Sequence, residues 1–170
     1  KVIMLMLTTS DNTASLWLQS LAGTGTRINQ ILDSIGYTAT RVNSRTPGRE
    51  AGRDQFGWGQ TSPKEMATMF EALANRTLLD TASSEKMLRL LGRNYWDEEA
   101  ISQIPPDVFV ASKNGAVNAS RSEAMYVSGK NARYVFCICT KNNKDRSWEL
   151  QNEAWELARK VSKLLWETYK

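Results

Sequence analysis

Residues 108–140 read VFVASKNGAVNASRSEAMYVSGKNARYVFCICT, and this stretch decides the fold class. Its apolar and β-branched residues form three runs of strand length, Val108–Val117, Glu123–Val127 and Ala132–Thr140. The sequence SGKN at 128–131 separates the last two runs and is typical of a tight turn. The stretch therefore predicts three strands in an antiparallel hairpin arrangement.

A long helix is predicted after these strands, from about Ser147 to Tyr169. Apolar side chains recur along one of its faces, which we expect to cover the sheet. The members of this face are Leu150, Ala154, Leu157, Val161 and Leu164.

The part of the chain before the strands is predicted to be mainly helical. Helical patterns run over 13–21 and 28–35, and glycines end them. The segment 44–60 then has no periodicity, and its glycines and prolines predict a loop. Unstructured loops of this length are uncommon in compact domains and are usually functional.

Two further helices are indicated by their start signals. Ser62 as N-cap, Pro63 at the first position and Glu65 at the third predict a helix with a capping box. Ser83 or Ser84 is expected to start another helix. The whole pattern predicts an α+β fold, in which an antiparallel sheet is packed by the C-terminal helix and adjoins a helical region.

We expect one domain over 1–170, with a mainly helical part at 13–106 and a part made of strands and the terminal helix at 107–170. The 170 residues, 41% of them hydrophobic, suffice for a single core. The longest apolar run, Val2–Leu7, is of buried-element length and too short to span a membrane.

Composition excludes several kinds of site. The chain contains no histidine, which rules out Ser-His-Asp triads, Cys-His pairs and histidine metal sites. Cys137 and Cys139 are expected to be free thiols on one side of a strand. We therefore expect neither a metal nor an organic cofactor.

Three motifs in a particular order carry the functional interpretation. Ser10-Asp11-Asn12 lies where an apolar segment meets a helix, and Lys113-Asn114-Gly115 lies in a predicted strand. The loop from Thr40 to Pro47 comes between them. This order resembles the class A β-lactamases and related penicillin-recognising serine hydrolases, whose signatures are S-x-x-K, S-D-N and K-[TS]-G. The resemblance covers the C-terminal part of the family fold and implies that fold here.

The resemblance implies a catalytic role for two residues. Ser10 would pass a proton to the leaving nitrogen of the substrate. Lys113 would place a positive charge beside Ser10 and the substrate carboxylate. Asn12 would bind the side-chain amide of the substrate.

The strand motif would supply the remaining substrate contacts. Asn114 stands in place of the usual Thr or Ser, and its amide can still donate to a carboxylate. Gly115 completes the triplet, and Ala116 would offer a backbone N–H to the oxyanion hole. Arg121, on the neighbouring strand, would clamp the substrate carboxylate if the register is shifted by one residue.

The family nucleophile has no counterpart in the chain. Its S-x-x-K precedes S-D-N, whereas the S-x-x-K at Ser83–Lys86 lies downstream and matches a helix cap better. The chain alone is therefore expected to be inactive. We expect an N-terminal fragment or a second chain to carry the S-x-x-K segment.

A second departure concerns deacylation. The alignment of the loop puts Thr46 where β-lactamases carry the glutamate that activates water. Glu50, four positions later, is an alternative if the loop bends differently. The implied function is acyl transfer on β-lactams or D-Ala-D-Ala-type peptides, outside the cytoplasm, in the periplasm or secreted.

Two other functions fit parts of the sequence. The first is a non-catalytic module that binds peptide or penicillin. The second is nucleic-acid binding by a stripe of arginines that recur every fourth residue, namely Arg41, Arg45, Arg49 and Arg53. Glycines and a proline break that stripe, so we expect a loop pinned by arginine ion pairs and no nucleic-acid partner.

Overall fold

The computed structural model describes residues 1–170 and has the α+β fold that the sequence predicts. The helices are α1 (Val2–Thr8), α2 (Asn12–Leu21), α3 (Thr24–Ser34), α4 (Glu50–Phe56), α5 (Pro63–Ala74), α6 (Thr81–Leu91) and α7 (Glu153–Tyr169), with a 3-10 turn at Ala100–Gln103. The strands are β1 (Arg41–Val42), β2 (Gly59–Gln60), β3 (Phe109–Val117), β4 (Ser120–Ser128) and β5 (Arg133–Cys139). None of the helices is both long and apolar enough to cross a lipid bilayer.

The three long strands form one antiparallel sheet in the order β3-β4-β5. In the β3–β4 register, Lys113 lies opposite Ala124, Asn114 opposite Glu123, and Ala116 opposite Arg121. The turn between β4 and β5 is closed by a hydrogen bond of 2.8 Å from Gly129 N to Ala132 O. The predicted strands and turn are confirmed.

Each face of the sheet buries its own apolar cluster. The helices α5 and α6 cover one face, whose core is Phe70, Leu73, Ala74, Leu88, Leu91, Ala111, Ala124 and Tyr126. The 3-10 turn and α7 cover the other face, whose core is Ala100, Ile104, Val110, Met125, Val127, Phe136, Trp155 and Ala158. Because side chains alternate along a strand, neighbouring residues of β3 serve different clusters.

The C-terminal helix differs from the prediction in start and orientation. It begins at Glu153 because Asn152 caps it, its Oδ1 accepting from Ala154 N at 3.0 Å. The predicted face is confirmed at Ala154, which is buried, and at Val161, which packs against the core, but it is wrong at Leu157 and Leu164, which are 47% and 66% exposed. The buried face is formed by Ala154, Trp155, Ala158 and Ser162. Small residues there let the helix approach the sheet closely, which a search for large apolar residues does not detect.

The loop predicted over 44–60 contains more structure than expected. Helix α4 lies within it, and the short pair β1–β2 joins its two ends. The side chain of Asn43 is 1% exposed, accepts from Arg49 Nε at 2.9 Å and donates to Gly57 O at 3.2 Å. Buried side-chain hydrogen bonds therefore organise a segment that has no apolar periodicity.

Two helix-start predictions are corrected by the structure. Ser62 does cap α5, accepting from Glu65 N at 3.2 Å, but the Glu65 carboxylate binds the backbone at 38–40 instead of closing a capping box. Helix α6 is capped by Asp80, which accepts from Ser83 N at 2.8 Å. Ser83 therefore lies inside the first turn and is not the cap.

Two smaller expectations concern the apolar opening and the cysteines. Val2–Thr8 forms a helix, in which Ile3 and Leu5 are exposed. Cys137 and Cys139 are free, as predicted, and partly buried on β5.

Candidate active site

The two residues on which the functional interpretation depends are in direct contact. Lys113 Nζ donates a hydrogen bond to Ser10 Oγ, although the residues are 103 positions apart in the sequence. The same ammonium donates to the backbone oxygen of Asn114 at 2.6 Å. The contact thus joins the start of the helical region to the edge strand β3.

Backbone geometry places Ser10 at this point. It lies between α1 and α2 with a φ of 56°, in the left-handed region that few residues other than glycine adopt. The next residue, Asp11, caps α2 by accepting from Ala14 N at 2.6 Å. A left-handed residue before an N-cap turns the chain sharply and leaves the Ser10 side chain exposed to solvent.

A second segment clamps this turn against the sheet. Tyr95 N donates to Thr8 O at 3.0 Å, and the Trp96 indole donates to Thr9 O at 3.2 Å. Asn94, just before them, donates to Ser112 Oγ at 3.0 Å. The segment 94–96 therefore fixes the distance between the Ser10 turn and β3. Sequence reasoning missed this clamp because no motif marks it.

The environment of Lys113 changes its proton affinity. Burial lowers the pKa of Lys113 to about 8, and the nearby charge of Glu123 opposes part of that shift. The side chain is still mostly an ammonium at neutral pH. It is therefore a hydrogen-bond donor and a positive charge aimed at Ser10.

Three predicted substrate contacts lie around this pair. Asn12, the first residue of α2, is exposed. Gly115 is exposed on β3, and its Cα approaches Ser122 so closely that an added Cβ would lie 3.0 Å from Ser122 Oγ. Ala116 is partly buried on the same strand. Strand β3 pairs only with β4, so its outer edge is free of a neighbouring strand.

Arg121 cannot be the predicted carboxylate clamp. It is 1% exposed, and its guanidinium donates to Val117 O, to Ser120 O at 2.9 Å and to Ser147 O at 2.7 Å. It also lies over the Trp148 ring, 4.8 Å from the centroid. Arg121 faces the same side of the sheet as Ala116, opposite to the side that Lys113 faces. Because the predicted register differed from the observed one by one residue, the arginine expected to bind substrate instead holds backbone carbonyls inside the protein.

The predicted deacylation residues do not contact the Ser10–Lys113 pair. Thr46 is 6% exposed, and its hydroxyl donates to Ser44 O at 3.0 Å. Glu50 is exposed at the start of α4, where it accepts from Gly48 N at 3.2 Å. The loop is nevertheless anchored to α2, because Ser44 Oγ donates to Gln19 Oε1 at 2.8 Å.

Two of the loop arginines bind partners within the protein. Arg41 forms an ion pair with Asp33, and Arg49 donates to Gln60 Oε1 at 2.7 Å. Glu65 binds the entrance of the loop, accepting from Thr38 N and Ala39 N at 2.8 Å and from Thr40 N at 2.7 Å. Partial burial raises the pKa of Glu65, but these hydrogen bonds outweigh it and lower the pKa to about 2.

Comparison with known proteins gives a consistent result. The sequence model of the β-lactamase enzyme family matches residues 1–169. No curated protein matches the chain significantly. Many solved structures share its fold.

Among these structures, PBP-A is 24% identical with a TM-score of 0.82, and the alignment covers 98% of this chain and 59% of PBP-A. A leucine-to-glutamate variant of PBP-A, an acyl-enzyme complex with penicillin G, has the same identity, TM-score and coverage of this chain, and the alignment covers 60% of that protein. The chromosome-encoded β-lactamase of Vibrio parahaemolyticus is 24% identical with a TM-score of 0.79, over 99% of this chain and 64% of that enzyme. The chain therefore spans about three fifths of the length of the structures that it matches.

Proposed function

The chain belongs to the β-lactamase enzyme family, and from that premise we propose that it is the C-terminal part of a serine acyl-transfer enzyme. Its substrates would be β-lactams or D-Ala-D-Ala-type peptides. The observation that carries this proposal is the hydrogen bond between Lys113 Nζ and Ser10 Oγ. An ammonium in contact with an exposed hydroxyl can hold that hydroxyl in place for proton transfer.

In the proposed reaction, a serine oxygen from outside these 170 residues attacks the carbonyl carbon of the substrate. An ester bond forms between them and the C–N bond breaks. The hydroxyl of Ser10 delivers a proton to the leaving nitrogen and regains one from the attacking hydroxyl, so no net charge is produced. Lys113 lowers the energy of the negative charge that develops during the attack.

The nucleophile is proposed to come from an S-x-x-K segment in a longer protein or in a second chain. Two exposed surfaces support this. The outer edge of β5 has no strand beside it, and the exposed leucines of the C-terminal region, Leu150, Leu157 and Leu164, lie uncovered. The shorter length relative to the matched structures agrees with a missing segment.

Deacylation is proposed to be slow. A threonine stands where β-lactamases use a glutamate, and it is buried in contacts with its own loop. Glu50 is exposed and bound to Gly48 N, so it would need a different loop conformation to activate water. An acyl-enzyme that persists fits penicillin binding or peptidase activity better than rapid lactam hydrolysis. The acyl-enzyme complex of the PBP-A variant with penicillin G shows that a protein of this fold can form such a species.

The test is covalent labelling of the complete protein by a fluorescent penicillin. We expect stable labelling, and about a hundredfold slower labelling for Lys113→Ala, since loss of one electrostatic stabiliser typically costs that much. Lys130→Ala, in the turn after β4, is the matched control and should label normally. A complete protein that binds penicillin without any covalent label would establish the binding-module function instead.

Export is part of the same proposal. The family resemblance favours a periplasmic or secreted protein. Fractionation of the source cells would test it, and recovery of the complete protein only from the cytoplasm would contradict it.

A further inference from the structure

Two buried oxygen atoms have no hydrogen-bond partner, and both lie on the face of the sheet opposite to the Lys113 side chain. They are Oδ1 of Asn114 and Oε1 of Glu123. The two residues are directly opposite each other in the β3–β4 register, so their side chains share one face of the sheet. Side chains in such a pair have Cβ atoms about 5 Å apart, within reach of a hydrogen bond between their ends.

The other polar atoms of the two residues are accounted for. Glu123 Oε2 accepts from Ala100 N at 2.8 Å, which fixes the carboxyl against the 3-10 turn. Asn114 Nδ2 makes no hydrogen bond within the protein, and unlike Oδ1 it remains in contact with solvent. The amide of Asn114 therefore directs its acceptor inward and its donor to solvent at the free edge of β3, on the sheet face opposite to the Lys113 side chain.

Two acceptor oxygens cannot satisfy each other without a proton. If Glu123 is protonated, its O–H donates to Asn114 Oδ1, and Nδ2 stays outside as a donor. If Glu123 is ionised, the amide is stable only after a half-rotation, which turns Nδ2 inward to donate to the carboxylate and Oδ1 outward. The charge on the buried residue thus selects which end of the amide is exposed.

The surroundings of Glu123 favour titration near neutrality. Burial raises the pKa of Glu123 to about 7, against the lowering effect of the Ala100 and Ile101 N–H groups. The charge of Glu99 raises it further, and that of Lys113 lowers it. The remaining charged groups here are Arg159, which pairs with Glu99 at 3.0 Å, and Arg121, which lies on the same face of β4.

We propose that Glu123 is a positioning residue whose proton determines whether Asn114 presents a donor or an acceptor to the ligand, which rests on the proposed function of the site. The donor state recognises a substrate carboxylate. The acceptor state disfavours it. Recognition of the carboxylate is therefore strongest below neutral pH and weakens as Glu123 ionises.

The first experiment needs no ligand. In the complete protein, the side-chain amide resonances of Asn114 are followed by NMR together with the carboxyl carbon of Glu123 from pH 5 to 9. We expect both to shift with one midpoint near the pKa of about 7. If the Asn114 amide chemical shifts do not change while Glu123 titrates, the proposal is overturned, whether or not the protein reacts with penicillin.

The second experiment compares acylation by a penicillin and by its methyl ester, whose rate ratio isolates recognition of the carboxylate. The ratio should fall about tenfold as Glu123 ionises, the effect of one hydrogen bond. In Glu123→Gln the Gln amide donates to Asn114 Oδ1 at every pH, so only the step from Lys113, near pH 8, should remain. Asn114→Ala should also lose the step near pH 7, because it removes the amide that changes its orientation.

The outcomes separate the two proposals. A step near pH 7 that persists in Glu123→Gln refutes the positioning role, even if acylation is normal. Coupled NMR titration in a protein that no penicillin acylates refutes the proposed function and leaves the Asn114–Glu123 pair established.

Discussion

The Ser10 turn and the loop at 38–60 are both anchored firmly, but only one of them presents reactive groups. At the turn, the anchors leave an exposed hydroxyl in contact with Lys113. In the loop, the anchors bury Asn43 and Thr46 and use the carboxylate of Glu65 to hold the backbone. The comparison shows that a segment can be held rigidly by hydrogen bonds without exposing any group that could react. The two groups proposed to act in acylation are in contact, and the loop keeps its shape without a carboxylate at position 46.

The largest expected effect is at the turn. Ser10→Gly keeps the left-handed backbone and removes the hydroxyl, so it should slow penicillin acylation of the complete protein by about a hundredfold or more. Ser20→Ala, on the exposed side of α2, is the control and should be unaffected. Labelling rates from stopped-flow fluorescence measure both. Normal acylation of Ser10→Gly would show that the Ser10 hydroxyl takes no part in the reaction.

The next largest effect is on stability, and it tests whether Arg121 stabilises the fold or binds the substrate carboxylate. Arg121→Met removes the buried guanidinium that donates to three backbone carbonyls, so the free energy of unfolding should fall by about 3 kcal/mol. Arg146→Met, at an exposed position, should change it by less than about 0.5 kcal/mol. Denaturant unfolding gives both values. The penicillin-to-ester rate ratio should stay constant in Arg121→Met, and a collapse of that ratio would restore the clamp.

A smaller effect is the pH dependence of acylation. In the proposed reaction the ammonium form of Lys113 is the active one, and the pKa of Lys113 is lowered to about 8. Activity that depends on this charge is therefore present below that pH and is lost above it, by about tenfold for each pH unit. The acylation rate of the methyl ester from pH 6 to 10 reports this step. A rate that stays flat to pH 10 would mean that the Lys113 charge does not assist.

The smallest effect concerns the loop anchor. The pKa of Glu65 lies at about 2, below its ordinary value of 4.5, so its stabilisation is present above that ordinary value and is lost as the pH falls toward 2. Glu65→Gln should lose this acid dependence, whereas Glu71→Gln, exposed on the same helix, should keep it. Unfolding midpoints at pH 7, 4 and 2.5 measure the difference. Equal acid dependence in both variants would contradict the anchoring role.

Motif order was sufficient to predict which distant residues meet. Ser10 and Lys113 could be paired from the S-D-N and K-N-G signatures because a family arrangement connects them. Strand positions also followed from the runs of β-branched and aromatic residues. The two motifs and the strand-length runs can each be recognised in a short stretch of sequence, and the structure contains the predicted contact and the predicted strands.

The side of the sheet that a residue faces could not be predicted as well. A shift of one position moves a strand residue to the other face of the sheet, and this places Arg121 on the face opposite to the Lys113 side chain. The same uncertainty hid Glu123, an acidic residue among apolar ones that sequence reasoning passed over. On α7 the leucine spacing selected a face about one residue away from the buried one. The clamp from Tyr95 and Trp96 uses backbone groups, which carry no sequence signature.

The left-handed conformation of Ser10 limits which amino acids can supply a hydroxyl at that position. Threonine carries the same group, but its branched Cβ is disfavoured at positive φ, so it would distort the turn and misplace the oxygen. Tyrosine would put its oxygen several bonds too far from the backbone. Among the natural alcohols, only serine joins this backbone shape to a hydroxyl within reach of the lysine.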